Sequence, residues 1–252
     1  MGTSLSSSNV AVGETISRAA AFLKNHEKED GVSPTYGYFT RHPVAPLNRK
    51  RLKILLEETQ AISLKLGRPL RILDLACGGG IITCALGALG HRVLGMDLSH
   101  REIQLAKNFA QEQNRSGVFW QADLLNDSSW ERVAEETLGG KPDIIVLAYA
   151  LHHLPGVEEF IQRLGRWLAP GASLLINEEN PDAPLFRLKH VVRTWIQKDT
   201  ETEWHRTWNG WKQLLDQSSF RTALPRGADI VPGLGRIAPL QAWSLVFTAT
   251  RI

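Results

Sequence analysis

The chain has only two cysteines in 252 residues, Cys77 and Cys84. They lack metal-ligand spacing and form no disulfide framework, so a zinc module and a disulfide-stapled secreted scaffold are both excluded; no metal is expected. No apolar run reaches the length that spans a bilayer, and the polar N-terminus has no signal-peptide core. These absences point to a cytoplasmic protein with no membrane partner. The net charge is only +3, from 29 basic and 26 acidic residues, and no long basic tract is present. A nucleic-acid partner is therefore not expected. The basic residues at Arg49-Lys-Arg51 lie on a helical pattern and read as a solvated face. No internal repeat is visible, which removes solenoids and propellers. Met1-Gly-Thr-Ser-Leu-Ser6 satisfies a loose myristoylation pattern, short enough to match by chance.

What is present is concentrated in Arg71-Ile-Leu-Asp-Leu-Ala-Cys-Gly-Gly-Gly-Ile-Ile-Thr83. The apolar run from Ile72 to Leu75 reads as a buried strand that ends in three glycines. The apolar segment from Ile81 to Leu89 has helical length. Strand, glycine turn and helix make the first unit of a nucleotide-binding α/β sheet. Glycine is required there because a ligand approaches the backbone more closely than a Cβ allows. Asp74, inside the strand, decides the ligand. A dinucleotide pyrophosphate at the helix N-terminus would be repelled by it. A cofactor with an ammonium and a sulfonium would be attracted, which points to S-adenosylmethionine.

The later segments agree in order. His91-Arg-Val-Leu-Gly-Met-Asp97 is a second strand ending in an acid that can accept from both ribose hydroxyls. Val118-Phe-Trp-Gln-Ala-Asp123 is a third, again ending in an acid, placed to accept from an adenine amino group. Asp143 to Leu154 forms a fourth and runs into a histidine-bearing loop; Leu168 to Ile176 is a helix end, a Pro-Gly turn and a fifth strand. In this order of motifs, from about Leu70 to Asn180, the chain resembles a class I S-adenosylmethionine-dependent methyltransferase of the small-molecule type.

The resemblance implies a Rossmann-like, doubly wound α/β fold. Its mixed sheet has seven strands in the order 3-2-1-4-5-7-6, with the last strand antiparallel, and a helical, aromatic cap covers it. It also implies cofactor roles by position. Asp74 and the backbone of Ala76, Cys77, Gly78 and Gly80 would hold the methionine portion. Asp97 would fix the ribose, with Leu98 packed on the adenine. Asp123 would meet the adenine amine beside Leu124, and Ala148 and Tyr149 would line the sulfonium.

Around this core, residues 1–13 are Ser-rich and read as a flexible terminus, and 14–67 as a helical cap segment with patterns from Ile16 to Leu23 and from about Pro46 to Leu66. Residues 68–252 read as the methyltransferase domain, with a cap insertion at about 180–216 before the last two strands. The final strand, Ala242 to Ala249, alternates as a partly exposed antiparallel edge would. Both cap segments are aromatic. Tyr36, Tyr38 and Phe39 belong to one; Phe186, Trp195, Trp204, Trp208 and Trp211 belong to the other. Each ring either packs the cap or walls a pocket for an apolar, aromatic or cationic small molecule, and Tyr36, Tyr38, Trp204 and Trp208 are the substrate-contact candidates.

His152 and His153 follow the fourth strand and His205 lies in the cap; all three are candidate bases, or residues that only shape their loops. A sulfonium is already activated and alignment supplies much of the acceleration, so the sequence favours transfer without an obligatory base. Glu178 and Glu179, just past the fifth strand, could orient an amine or face water. No Asp-Pro-Pro-Tyr-like signature follows the fourth strand, which weakens an exocyclic-amine DNA methyltransferase reading. The expectation is methyl transfer from S-adenosylmethionine to an N, O or C atom of a small molecule. Transfer to tRNA or protein and non-methylating cofactor binding are the alternatives, and an NAD-dependent dehydrogenase is opposed by Asp74.

Overall fold

The computed structural model describes residues 45–112, 117–184, 186–187, 205–228 and 242–252. Residues 1–13, the first helical pattern expected, Tyr36, Tyr38, Phe39, Trp195 and Trp204 lie outside them. The chain divides into two compact units, Met1–Val146 and Leu147–Ile252.

In the first unit, α1 (Ala45–Leu66) buries Leu47, Leu52, Ile54, Leu55 and Leu56, a helical stripe that fades toward its exposed end at Leu66. Arg51 departs from the expected solvated face. It is 3% exposed and donates to Asn48 Oδ1 at 2.9 Å, because its position falls on the buried side of the helix. Strands β1 (Arg71–Leu75), β2 (Arg92–Asp97) and β3 (Val118–Gln121) pair in parallel, with Asp74 opposite Gly95 and Asp97 opposite Gln121. Helix α2 (Ile81–Ala88) joins β1 to β2, α3 (His100–Glu112) joins β2 to β3, and α4 (Ser129–Leu138) follows β3. Ile103, Ala106, Phe109 and Ala110 form the buried stripe of α3, and Trp130, Ala134 and Leu138 that of α4. Trp130 can be buried because its indole N–H donates to the Leu124 carbonyl at 3.2 Å. Asp143 ties the chain entering β1 to the chain entering β4 (Ile144–Ala148): it takes both guanidinium nitrogens of Arg68 at 2.9 Å and the Arg71 amide at 2.9 Å. Burial raises the pKa of this carboxyl, but the two arginines outweigh it and bring it down to about 2.

In the second unit, a 3₁₀ turn (Leu151–His153) leads to α5 (Val157–Trp167), then β5 (Ser173–Glu179), α6 (Trp208–Gln217), β6 (Phe220–Thr222), β7 (Arg226–Ala228) and β8 (Ser244–Arg251). Val157, Phe160, Ile161, Leu164 and Trp167 recur at helical spacing on α5. Its first turn carries Glu158 and Glu159 and its last Arg166, as the helix dipole favours. Thr207 caps α6 by accepting from the Gly210 amide at 3.2 Å.

The strands follow the order β3-β2-β1-β4-β5-β8-β6, with β7 also paired to β8. This is the expected mixed sheet with one short strand added, so three strands rather than two follow the cap region. The last strand is also not the expected partly exposed edge. β8 runs antiparallel between β5 and β6, and Ser244 to Phe247 are buried. Its polar positions are satisfied across the sheet, not by water: Asn177 donates to Ser244 Oγ at 2.9 Å, Ser244 Oγ donates to the Glu178 carbonyl at 2.8 Å, and Thr250 meets Ser173 at 3.1 Å. No helix among the described residues is long and apolar enough to cross a membrane.

Gly95 sits at a crowded point of the first unit, between three side chains. A Cβ there would lie 2.8 Å from Phe119 Cδ1, 2.8 Å from Thr83 Oγ1 and 2.9 Å from Cys77 Sγ. Gly95→Ala is expected to destabilise the protein by about 1–3 kcal/mol, the usual cost of overpacking. Urea unfolding measures it, and an unchanged midpoint would show that these neighbours yield freely.

Candidate active site

The glycine turn begins with strain. Ala76, the first residue after β1, has φ 56°, a left-handed conformation unfavourable to a residue with a Cβ. The Cys77 amide donates to the Met96 carbonyl at 2.9 Å, which anchors the turn to β2. Gly80 opens α2 at φ +77°, and a Cβ there would collide with Phe119 and Ala106 at 2.7–2.8 Å. Cys77 is no nucleophile, since burial, then the charges of Asp74 and Asp97, push its thiol pKa well up.

Asp97, at the tip of β2, accepts from the Gly78 amide at 2.8 Å through Oδ2 and from the Ser99 amide at 2.9 Å through Oδ1. Each oxygen retains a second lone pair for a further donor. Leu98, the next residue, is 64% exposed. Asp123 folds back on its own turn. It accepts from the amides of Leu125 and Asn126 and from the Asn126 side chain, all at 3.0 Å. The Asn126 side chain, then these amides, hold its carboxyl below the usual range. Leu124 is buried, at 6% exposure.

Asp74 lies deeper than its neighbours, at 1% exposure. Its Oδ2 accepts from the Thr83 hydroxyl at 2.6 Å, a partner on α2 that the sequence reading did not single out. Burial pushes the carboxyl up to about 7, against the Thr83 bond and with help from the charge of Asp97. The ammonium partner expected at this position is therefore a buried acid under the turn, not a surface carboxylate.

In the second unit, Tyr149 follows β4 at φ 58° and donates its amide to the Asn177 carbonyl at 2.9 Å. Beside it is a dense polar cluster. Glu178 and Glu179 are the last residues of β5, not past its end, and Glu178 is 2% exposed. Glu178 does not face water. Its Oε1 accepts from the amides of Ala150 at 3.2 Å and Leu151 at 2.8 Å, and its Oε2 lies 2.6 Å from His152 Nδ1. His152 is buried, whereas His153 is exposed. The His205 ring stacks on His152 with centroids 5.1 Å apart, and its Nε2 lies 3.9 Å from Glu179 Oε2. Phe186 meets His205 edge-on at 5.0 Å. Of the cap tryptophans, Trp208 packs edge-on against Phe247 of β8 at 5.1 Å and Trp211 is fully buried, so both are drawn into the fold by β8 and its neighbours. No group of three or more His, Cys, Asp or Glu among the described residues could hold a metal ion.

A parallel sheet with a glycine turn after β1 and an acid at the tip of β2 defines a nucleotide-type α/β protein. A family model described as a methyltransferase domain matches residues 47–225, most of the chain. The chain belongs to that family. It is 26% identical over 158 residues to a ubiquinone biosynthesis O-methyltransferase of Rickettsia akari, an overlap covering 61% of this chain and 59% of the relative. It is 35% identical over 118 residues to the protein of that name from Nitrosococcus oceani, covering 46% of this chain and 47% of the relative. The chain thus spans about half the length of these relatives. Among solved structures, magnesium protoporphyrin IX methyltransferase from Synechocystis PCC 6803 with bound SAH aligns at a TM-score of 0.62 and 16% identity, over 92% of this chain and 99% of that one. A methyltransferase from Methanosarcina mazei aligns at 0.54 and 22% identity, over 73% and 93%. These structures share the fold.

The raised pKa of Asp74 gives a pH signature. A folded acid with a pKa of about 7 keeps a proton that the unfolded chain releases near 3.8. Its contribution to stability is therefore full below 3.8, declines as pH rises and is gone above about 7. Urea unfolding across that window should show wild type losing stability relative to Asp74→Asn, at roughly 1.4 kcal/mol per unit of pKa difference. A difference independent of pH would mean that Asp74 is not held protonated.

Proposed function

We propose that this chain transfers a methyl group from S-adenosylmethionine to an oxygen of a small-molecule acceptor. The observation that carries the reading is the tip of β2, where Asp97 is locked to the glycine turn through the Gly78 amide and is followed by the exposed Leu98. That pair offers what a nucleoside needs, a carboxylate for two ribose hydroxyls and an apolar surface for the base. Asp123 keeps acceptor capacity for an adenine amine, and the backbone from Ala76 to Gly80 can approach the methionine portion. Buried Asp74, whose pKa is raised to about 7, can give up its proton opposite a cation, which suits an ammonium and a sulfonium and opposes a pyrophosphate. When bound, this cofactor supplies an activated methyl group, and the chain's residues bind, orient and exclude water.

Membership of the methyltransferase-domain family supports the reaction, and relatives named as O-methyltransferases favour oxygen as the acceptor atom. The small net charge of +3 fits a small acceptor better than tRNA. A cytoplasmic setting is in keeping with this reading.

Calorimetric titration of the full chain with S-adenosylmethionine, S-adenosylhomocysteine and NAD tests it. Saturable binding of the first two and none of NAD is expected. Asp97→Ala should weaken both by about 10- to 150-fold, the loss of a charged acceptor worth roughly 1.5–3 kcal/mol. Unaltered affinity in a variant of normal melting temperature would remove Asp97 from the site, and binding of NAD alone would overturn the reading.

A further inference from the structure

We infer that a cavity at the amino edge of β1 and β2 is a second binding site, one that takes a small monocarboxylate with an apolar body. It does not depend on the methyl-transfer reading, since it lies at the opposite edge of the sheet from the glycine turn.

The site follows from how β1 and β2 begin. Leu70 and His91 immediately precede the two strands, and the Arg92 amide donates to the Leu70 carbonyl at 2.9 Å, so the first pairing of the sheet fixes both. The last turns of α1, the loop that follows it and the end of α2 surround them, all within the first unit. The cavity so formed holds about 300 Å³, at the lower end of the range for ligand sites, and its walls include Ser63, Leu64, Arg68, Pro69, Leu89 and His91. Asp74 lies four residues beyond Leu70 along β1, about 13 Å at the rise of a strand. A molecule held here leaves the cofactor edge clear.

His91 supplies a donor. It is 7% exposed, and its Nδ1 accepts from the Leu70 amide at 3.4 Å. Burial lowers its pKa and keeps the ring neutral, so its one proton is on Nε2. That N–H is buried and has no hydrogen-bond partner among the described residues. A residue that only fills space gains nothing from such a donor, and a phenylalanine would fill the same space without it. In the wall of a cavity the donor has a use, because a ligand oxygen can accept from it.

Arg68 supplies charge. Its guanidinium gives two N–H donors to Asp143 and one to the Pro69 carbonyl, which leaves two of its five. Asp143 also takes Arg71 at 3.1 Å, so two cations share one carboxylate and a positive charge is in excess. Among the described residues no acid lines the cavity. Its backbone acceptors are already engaged: the Ser63 and Leu64 carbonyls take the Gly67 amide at 2.9 and 3.3 Å, and the Arg68 carbonyl takes the Ser63 hydroxyl at 2.9 Å. The walls therefore call for an anionic acceptor. Leu64, 59% exposed, Pro69 and Leu89 call for an apolar body beside it. A planar carboxylate can offer one oxygen to His91 and one to Arg68 while a ring or short chain covers these three side chains.

The test titrates the full chain by calorimetry, at constant ionic strength, with benzoate, benzyl alcohol and inorganic phosphate. Benzoate should bind saturably at one site per chain, equally with and without saturating S-adenosylhomocysteine. Benzyl alcohol should bind at least about tenfold more weakly, and phosphate, which has no apolar body, not at all. His91→Phe should weaken benzoate at least about tenfold. Leu64 is exposed, so its replacement spares the fold. Leu64→Glu should weaken benzoate at least about threefold by repulsion, and Leu64→Lys should strengthen it. Nitrogen-15 NMR of the wild type should show the His91 Nε2 resonance shifting as benzoate is added, a readout that stands even where a variant fails to fold.

No saturable binding of benzoate, equal affinity for benzyl alcohol, an unmoved His91 resonance or displacement of benzoate by S-adenosylhomocysteine would each overturn the proposal. So would benzoate affinity that survives both His91→Phe and Leu64→Glu.

Discussion

A carboxyl group buried at the end of a strand must be surrounded by donors or keep its proton, because an uncompensated charge in a low-dielectric interior costs several kcal/mol. The two units meet this constraint in opposite ways. Asp74, at the end of β1, has the Thr83 hydroxyl at 2.6 Å and is held up to about 7. Glu178, at the end of β5, has the Ala150 amide, the Leu151 amide and the His152 ring. The first arrangement leaves an acid of raised pKa beneath the glycine turn. The second uses its acceptor capacity at once, and in doing so shapes the turn that carries His152.

Backbone strain sits at equivalent places. Ala76 follows β1 at φ 56° and Tyr149 follows β4 at φ 58°. In each case an amide at the strand end reaches the neighbouring strand: Cys77 donates to Met96 of β2, and Tyr149 to Asn177 of β5. Left-handed geometry at a residue with a Cβ costs roughly 1–3 kcal/mol and persists only where the surroundings over-determine it. Here the cross-strand hydrogen bonds supply that constraint. They turn the chain sharply at the carboxyl edge of the strands.

The periodic signals in the sequence were enough for much of the fold. Buried parallel strands read as apolar runs, so Ile72–Leu75 and Ile144–Leu147 are recognisable without a partner, and Asp97 marks the end of β2. Three features were not legible, each because its cause is non-local. The polar residues of β8 mimic solvent exposure, but Ser244 and Thr250 are bonded to Asn177 and Ser173, far away in the chain. The cluster of tryptophans left packing and a pocket wall both open, and Trp208 meets Phe247 edge-on, a contact far away in the chain. Glu178 and Glu179 look alike in sequence, and only strand alternation combined with the turn after β4 buries the first beside His152. Thr83 could have been found, since it stands on the first turn of the helix that follows Asp74, but no local pattern demands that it bond back.

The dual role of Glu178 also determines which comparison carries information about the site. Removing its side chain would orphan two buried amides, at about 1–3 kcal/mol each, and release the turn that positions His152. A glutamine keeps the two amides through its carbonyl, so the turn stays in place, whereas an alanine leaves both amides without their acceptor. The difference in stability between the two variants therefore isolates what the backbone contacts of Glu178 contribute, apart from its charge.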